Sequence, residues 1–140
     1  MGSRKHIRAE KEKEAKKSLY FAKLTNNPSS PRKTRLMADL IRGVNVEKAL
    51  HTLQYSSKES AIKLRKLLLS AIANWQSKNE GVRIEESNLY IKEVFVDGGR
   101  QLKRIRTAPQ GRAHRIRKRS SHITMILDSR NSVNETTENK

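Results

Sequence analysis

The sequence predicts an α+β fold: three helices and three strands form a small body, and a long basic β-hairpin protrudes from it. Three observations predict it. Between residues 31 and 79, apolar side chains recur at helical spacing in three successive stretches. Three other segments, LYFAKL, NLYIKEVFV and SHITMIL, are rich in β-branched and aromatic residues. Between the last two lies RQLKRIRTAPQGRAHRIRKR, from Arg100 to Arg119, where nine of twenty residues are Lys or Arg and none is acidic.

With 140 residues, a formal charge of +17 and no cysteine, the chain is expected to be one domain with extensions. A disulfide framework and a thiolate metal site are excluded. No apolar run is long enough to span a bilayer, and the start, MGSRKHIRAEKEKEAKK, has no apolar region for secretion. Gly2 is not a myristoylation signal, because position six holds His6 rather than Ser or Thr. The expectation is a cytoplasmic protein. Aromatic residues make up only 4 % of the chain, which disfavours a sheet that stacks unpaired bases and favours phosphate and shape recognition.

Residues 1–18 read as a charged extension. Glu10, Glu12 and Glu14 among lysines support i,i+4 pairs worth about a few tenths of a kcal/mol, too little to hold a short helix alone. In Leu19 to Leu24, Tyr20, Ala22 and Leu24 share one face of a strand. Asn26 to Pro31 is a loop ending in a helix start, with Ser30 placed to cap and Pro31 in the first turn. Leu36, Met37, Leu40 and Ile41 are expected on one face of that helix, with Gly43 closing it. Arg32, Lys33 and Arg35 crowd its first turn, where the helix dipole disfavours cations. Phosphate oxygens docking there would remove the conflict.

Asn45 caps a second helix, with Val46, Ala49, Leu50 and Leu53 inward. Ser56 and Glu59 have capping-box spacing for the third. Its stripe of Ala61, Leu64, Leu68, Ala71, Ile72 and Trp75 runs towards Gly81 and makes this helix the spine of the core, with Arg65 and Lys66 outside.

In the first hairpin strand Leu89 and Ile91 are out of phase with Val94 and Val96, so a bulge is expected near Lys92 or Glu93. Asp97-Gly98-Gly99 marks the change from apolar strand to basic arm, and Thr107 to Gly111 holds the Pro and Gly of a turn. Arms of about nine residues at about 3.3 Å each would project about 30 Å. A two-stranded ribbon is marginal in water, so this one is expected to gain its order from a polyanionic partner. The division is therefore an extension (1–18), a body (19–99) closed by strand 120–127, a distal basic hairpin (100–119) and a polar tail (128–140).

His6, His51, His114 and His122 lie in four different segments, and no metal-ligand spacing, nucleophile elbow or phosphate-binding glycine loop occurs. No enzyme activity, metal or cofactor is expected. A DNA-binding architectural protein with a basic β-ribbon arm is the alternative, against which stand a weak apolar wedge near Pro109 and no dimer-forming surface. A polybasic membrane-surface protein would need more apolar residues on the arms.

SSPRKTRLMADLIRG, LLLSAIANW, NLYIKEVFVDGG, LKRIR and GRAHRIRKRSSHITMIL together resemble the bacterial large-ribosomal-subunit protein L twenty-two family, over roughly Tyr20 to Leu127. The resemblance implies three helices packed on a three-stranded antiparallel sheet. It also implies a monomeric, non-membrane component of the large subunit that binds 23S rRNA. Its hairpin would bridge rRNA domains and line the nascent-polypeptide exit tunnel, with other large-subunit proteins and, transiently, the nascent chain as neighbours. From charge, helix start and resemblance together, the residues expected in rRNA binding are Ser30, Arg32, Lys33, Arg35, Arg100, Lys103, Arg104, Arg106, Arg112, His114, Arg115, Arg117, Lys118 and Arg119. Those implied at the tunnel tip are Leu102, Lys103, Arg104, Ile105, Thr107, Ala108, Pro109, Gln110 and Gly111. Thr107-Ala108-Pro109-Gln110 stands where the family commonly has a more basic run, and His114 where it often has an acid.

Overall fold

A computed structural model describes residues 3–79 and 84–130. The order of elements is α1 (Ser3–Ser18), β1 (Tyr20–Asn27), α2 (Pro31–Ile41), α3 (Val46–Tyr55), α4 (Glu59–Lys78), a short α5 (Ile84–Ser87), β2 (Leu89–Thr107) and β3 (Ala113–Ser129). The strands form one antiparallel sheet in the order β1-β3-β2. The α+β class follows as expected, with α1 and α5 added. β3 runs on through Asp128 and Ser129, and the rest of the polar tail from residue 131 lies outside the described residues.

α4 is the spine of the core. Ala61, Leu64, Leu68, Ala71, Ile72 and Trp75 are all buried, and Leu67 joins them. The core continues onto one face of the sheet through Ala22, Leu89, Ile91, Val94, Val96, Ile123, Met125 and Leu127. Trp75 meets Tyr20 of β1 edge to face, with ring centres 6.3 Å apart. The phase slip in β2 is resolved as expected: Ile91 pairs with Leu127 and Glu93 with Ile126, leaving Lys92 bulged between them. That extra residue returns Val94 and Val96 to the core side.

Four expectations are corrected. α1 is helical over sixteen residues although none of them is buried. Exposed pairs such as Arg8 with Glu12 at 3.0 Å support it, and its C-terminal end is tied to α4. On α2 the buried face is Thr34, Met37, Ala38 and Ile41, while Leu36 and Leu40 stand 64 % and 59 % exposed. Small side chains at 34 and 38 let the helix approach the sheet, which bulky leucines would prevent. Ser30 occupies the N-cap position of α2 without a side-chain cap bond. Finally, Ser56 and Glu59 form no capping box: Lys58 is the N-cap of α4, and the Ser56 hydroxyl turns to Met37 Sδ and accepts from Lys58 N. Asn45 does cap α3, accepting from Glu47 N at 2.9 Å. α4 ends at Lys78, and Gly81 lies outside the described residues.

On the body, groups from the helices and the α2–α3 loop bond the free edges of both outer strands at particular positions. On β2, Ile91 exchanges backbone bonds with Gly43 and Val44, Arg42 donates to Val94 O at 3.0 Å, and Arg35 donates twice to Val96 O, at 2.8 and 3.1 Å. Carbonyls two residues apart on a strand face the same edge, and helix positions seven apart share one side, so one helical stripe closes one strand edge. On β1, Asn74 of α4 donates to Phe21 O and Lys78 to Leu19 O. Carbonyls held in this way are taken from pairing with a further strand.

Candidate nucleic-acid interface

Seven residue pairs, from Gln101 with Arg119 to Thr107 with Ala113, continue β2 and β3 into the arm. At about 3.3 Å per residue these span about 23 Å before the turn. Ala108 N then bonds Arg112 O at 2.8 Å, and Gln110 and Gly111 adopt positive φ of 61° and 72°. The turn thus falls where Pro109 and Gly111 predict it.

Register sorts the arm into two faces, because side chains of directly paired residues lie on the same side of a ribbon. One face carries Leu102, Arg104, Arg106, His114, Ile116 and Lys118. The other carries Gln101, Lys103, Ile105, Arg115, Arg117 and Arg119. Each face therefore has at least three cations, all exposed. Lys103 stands directly opposite Arg117, a like-charge pair that weakens a free ribbon and is relieved when phosphate sits between the two. Leu102, Lys103 and Arg104 lie part-way along the arm, and Thr107 to Gly111 form its far end.

The root of the arm is built from close packing. Pairing shifts register again between Gly98 and Gln101. A side-chain carbon on Gly99 would stand 2.7 Å from Ser120 Oγ and 3.2 Å from His122 Nε2, while one on Gly98 would meet nothing within 4 Å. The Ser120 hydroxyl donates to Arg100 O, His122 Nδ1 accepts from Asn26 N at 3.1 Å, and buried Asn27 donates to Ser121. Nearer the core, Lys92 at the bulge donates to Asp128 at 2.7 Å. That hydrogen bond, with the carboxylate charge, raises the Lys92 pKa above its ordinary range.

Gly98→Ala is accordingly expected to be neutral within about 0.5 kcal/mol. Gly99→Ala is expected to cost about 1 to 3 kcal/mol by overpacking, partly recovered when Ser120→Ala is added. Urea denaturation of the two single variants and the double variant measures both.

Arg35 also places the first turn of α2 at the arm's root, since Val96 is the residue before Asp97-Gly98-Gly99. Arg32 and Lys33 are exposed there beside Ser30, whose hydroxyl makes no cap bond. Part of the Arg35 guanidinium is committed to Val96 O, so Arg35 orients the helix as well as adding charge. Sequence reading missed Arg42, which holds Val94 O in the same way. Its partner lies 52 residues away, and only the i,i+7 spacing to Arg35 hinted at a shared side. Among the described residues no three His, Cys, Asp or Glu group as a metal site, and no helix is long and apolar enough to cross a membrane.

The described arm, its root and all but the ends of the body lie within a stretch that matches a protein-family model, that of ribosomal protein L22p/L17e, over residues 22–128. The chain belongs to the ribosomal protein L22p/L17e family. Similar members of the family carry the name large ribosomal subunit protein uL22. That of Christiangramia forsetii is 64 % identical over 133 residues, covering 95 % of this chain and 98 % of its own. That of Flavobacterium johnsoniae is 59 % identical, with 95 % and 97 % covered, and that of Bacteroides fragilis 58 %, with 94 % and 96 %. This is a family of ribosomal proteins rather than of enzymes. Its model begins at Ala22 and so excludes α1.

Proposed function

We propose that this chain is a structural component of the large ribosomal subunit whose arm binds 23S rRNA, bridges rRNA domains and lines the nascent-polypeptide exit tunnel. The observation that carries the proposal is the distribution of charge: cations project from both faces of one narrow ribbon, and an arm charged on both sides fits a crevice between two RNA surfaces. Extended backbone lets successive side chains reach different strands, and the arginines suit bidentate phosphate contact.

Arg100, Lys103, Arg104, Arg106, Arg112, His114, Arg115, Arg117, Lys118 and Arg119 contact RNA along the arm in this reading. Ser30, Arg32, Lys33 and Arg35 add a phosphate site at its root, where the dipole of α2 and its uncapped first turn favour an anion. The far end, Thr107 to Gly111, with Leu102 to Ile105 behind it, faces the tunnel and the passing nascent chain. Other large-subunit proteins near the tunnel are neighbours of the body. The chain catalyses no reaction; it fills and neutralises a space between RNA segments.

Sedimentation of a tagged copy from lysate through a sucrose gradient tests the proposal. Retention in the large-subunit peak through a high-salt wash is the expected result. Recovery at the top of the gradient, or with chromosomal DNA, would overturn it and favour an architectural DNA-binding role.

A further inference from the structure

Among the described residues, α1 is the one long element that takes no part in the core. None of its sixteen residues is buried, and it carries seven Lys or Arg against three Glu. It is nonetheless tethered to the body. Lys78 of α4 donates to Lys17 O at 2.8 Å and Leu19 O at 2.9 Å, and its ammonium stands 5.3 Å from the centre of the Tyr20 ring. The tie caps the carbonyl end of α1 with a cation, the favoured sign there.

Three of the seven cations on α1 share one side of the helix, and the other four are spread around the rest of it. Arg4, Arg8, Lys11 and Ala15 follow one another at spacings of four, three and four, so they line one side of the helix. Among the described residues, only Arg8 of these cations has an acidic partner, Glu12 at 3.0 Å, and the two side chains are 84 % and 55 % exposed. An ion pair so exposed is worth little and is readily exchanged for a stronger anion.

We propose that the Arg4, Arg8 and Lys11 face of α1 is a second RNA-docking surface, which grips phosphates of a structured RNA at a place separate from the arm. A protein partner fits this face poorly. Interface cores are enriched in aromatic residues and depleted of Lys, whereas α1 has five lysines, no aromatic residue, and Ile7 as its one large apolar side chain. The proposal rests on the ribosomal reading above for the identity of the RNA.

The test uses full-length protein and 23S rRNA, with filter binding followed as salt is raised from about 0.1 M to about 1 M. Arg4→Gln, Arg8→Gln and Lys11→Gln together keep helix propensity while removing the three charges. The slope of log K against log salt is expected to become shallower by about 2, with affinity near 0.1 M salt falling about a hundredfold. Circular dichroism of the variant should show helix content kept. An unchanged slope, beside a clear loss in variants of the arm, would overturn this proposal alone and leave α1 solvated. Unchanged rRNA binding with lost incorporation into subunits would assign the face to a protein instead. Failure of the wild-type chain to bind 23S rRNA would overturn both this proposal and the reading beneath it.

Discussion

Replacing Arg115, Arg117 and Arg119 by Gln is expected to lower affinity for 23S rRNA between one hundred- and several hundred-fold near 0.1 M salt, and hardly at all near 1 M, by counterion-release estimates of about 0.7 to 0.9 per phosphate. These three arginines stand on one face of the ribbon, so the change strips that face of all its cations but Lys103. Each lost phosphate contact retains its counterions, and the loss scales with the logarithm of salt. For the wild-type arm, five or six neutralised phosphates correspond to a slope of about −4 to −5, and the triple variant should be shallower by about 2 to 3. Thermal stability of the free protein should stay level or rise, because Arg117→Gln also removes the like-charge pair with Lys103. Salt-dependent filter binding and a melting curve on the same preparations check both halves. An affinity loss that persists unchanged at high salt would mean the arginines act through the fold rather than through phosphate.

Trp75→Ala is expected to have the opposite signature. Trp75 is 3 % exposed, continues the buried stripe of α4 and meets Tyr20 at the start of β1. Removing a buried Trp costs about 3 to 5 kcal/mol, a large share of the roughly 5 to 15 kcal/mol available to a domain. At this chain length the melting temperature should fall by about 10 to 20 °C. Guanidinium denaturation and a thermal melt both read it. RNA affinity of whatever remains folded should keep its salt slope, since no arm cation is touched. A cost below about 1 kcal/mol would show that α4 is not the spine of the core.

The two variants separate body from arm, and they also separate what is local in the sequence from what is not. α2, α3 and α4 are legible because their apolar residues repeat at 3.6, and the starts of α2 and α3 carry Pro31 and Asn45. The arm is legible because Arg100 to Arg119 gathers the cations and brackets a Pro and a Gly between two apolar strands. Even the bulge at Lys92 is legible: a strand whose buried residues change parity must gain one residue somewhere. Each of these follows from covalent spacing alone.

The rest depends on which surface each element meets. The sequence of α2 offers two overlapping apolar stripes, and nothing local decides that Thr34 and Ala38 go inward while Leu36 and Leu40 stay out. The sheet decides it, through close approach and through Arg35 and Arg42 reaching the carbonyls of Val96 and Val94. Likewise Ser30 and Ser56 sit where caps belong, yet Ser56 turns to Met37, 19 residues away. α1 is tied down by Lys78, on a helix 61 residues further along the chain. By itself the sequence determined α2 to α4, the three strands, the bulge and the placing of charge, because those follow from spacing along one chain. Only the tertiary structure decided the rotation of α2, the partners of the capping serines and the two faces of the arm. Those depend on contacts between segments far apart in sequence, where small differences in size and reach select one packing from several.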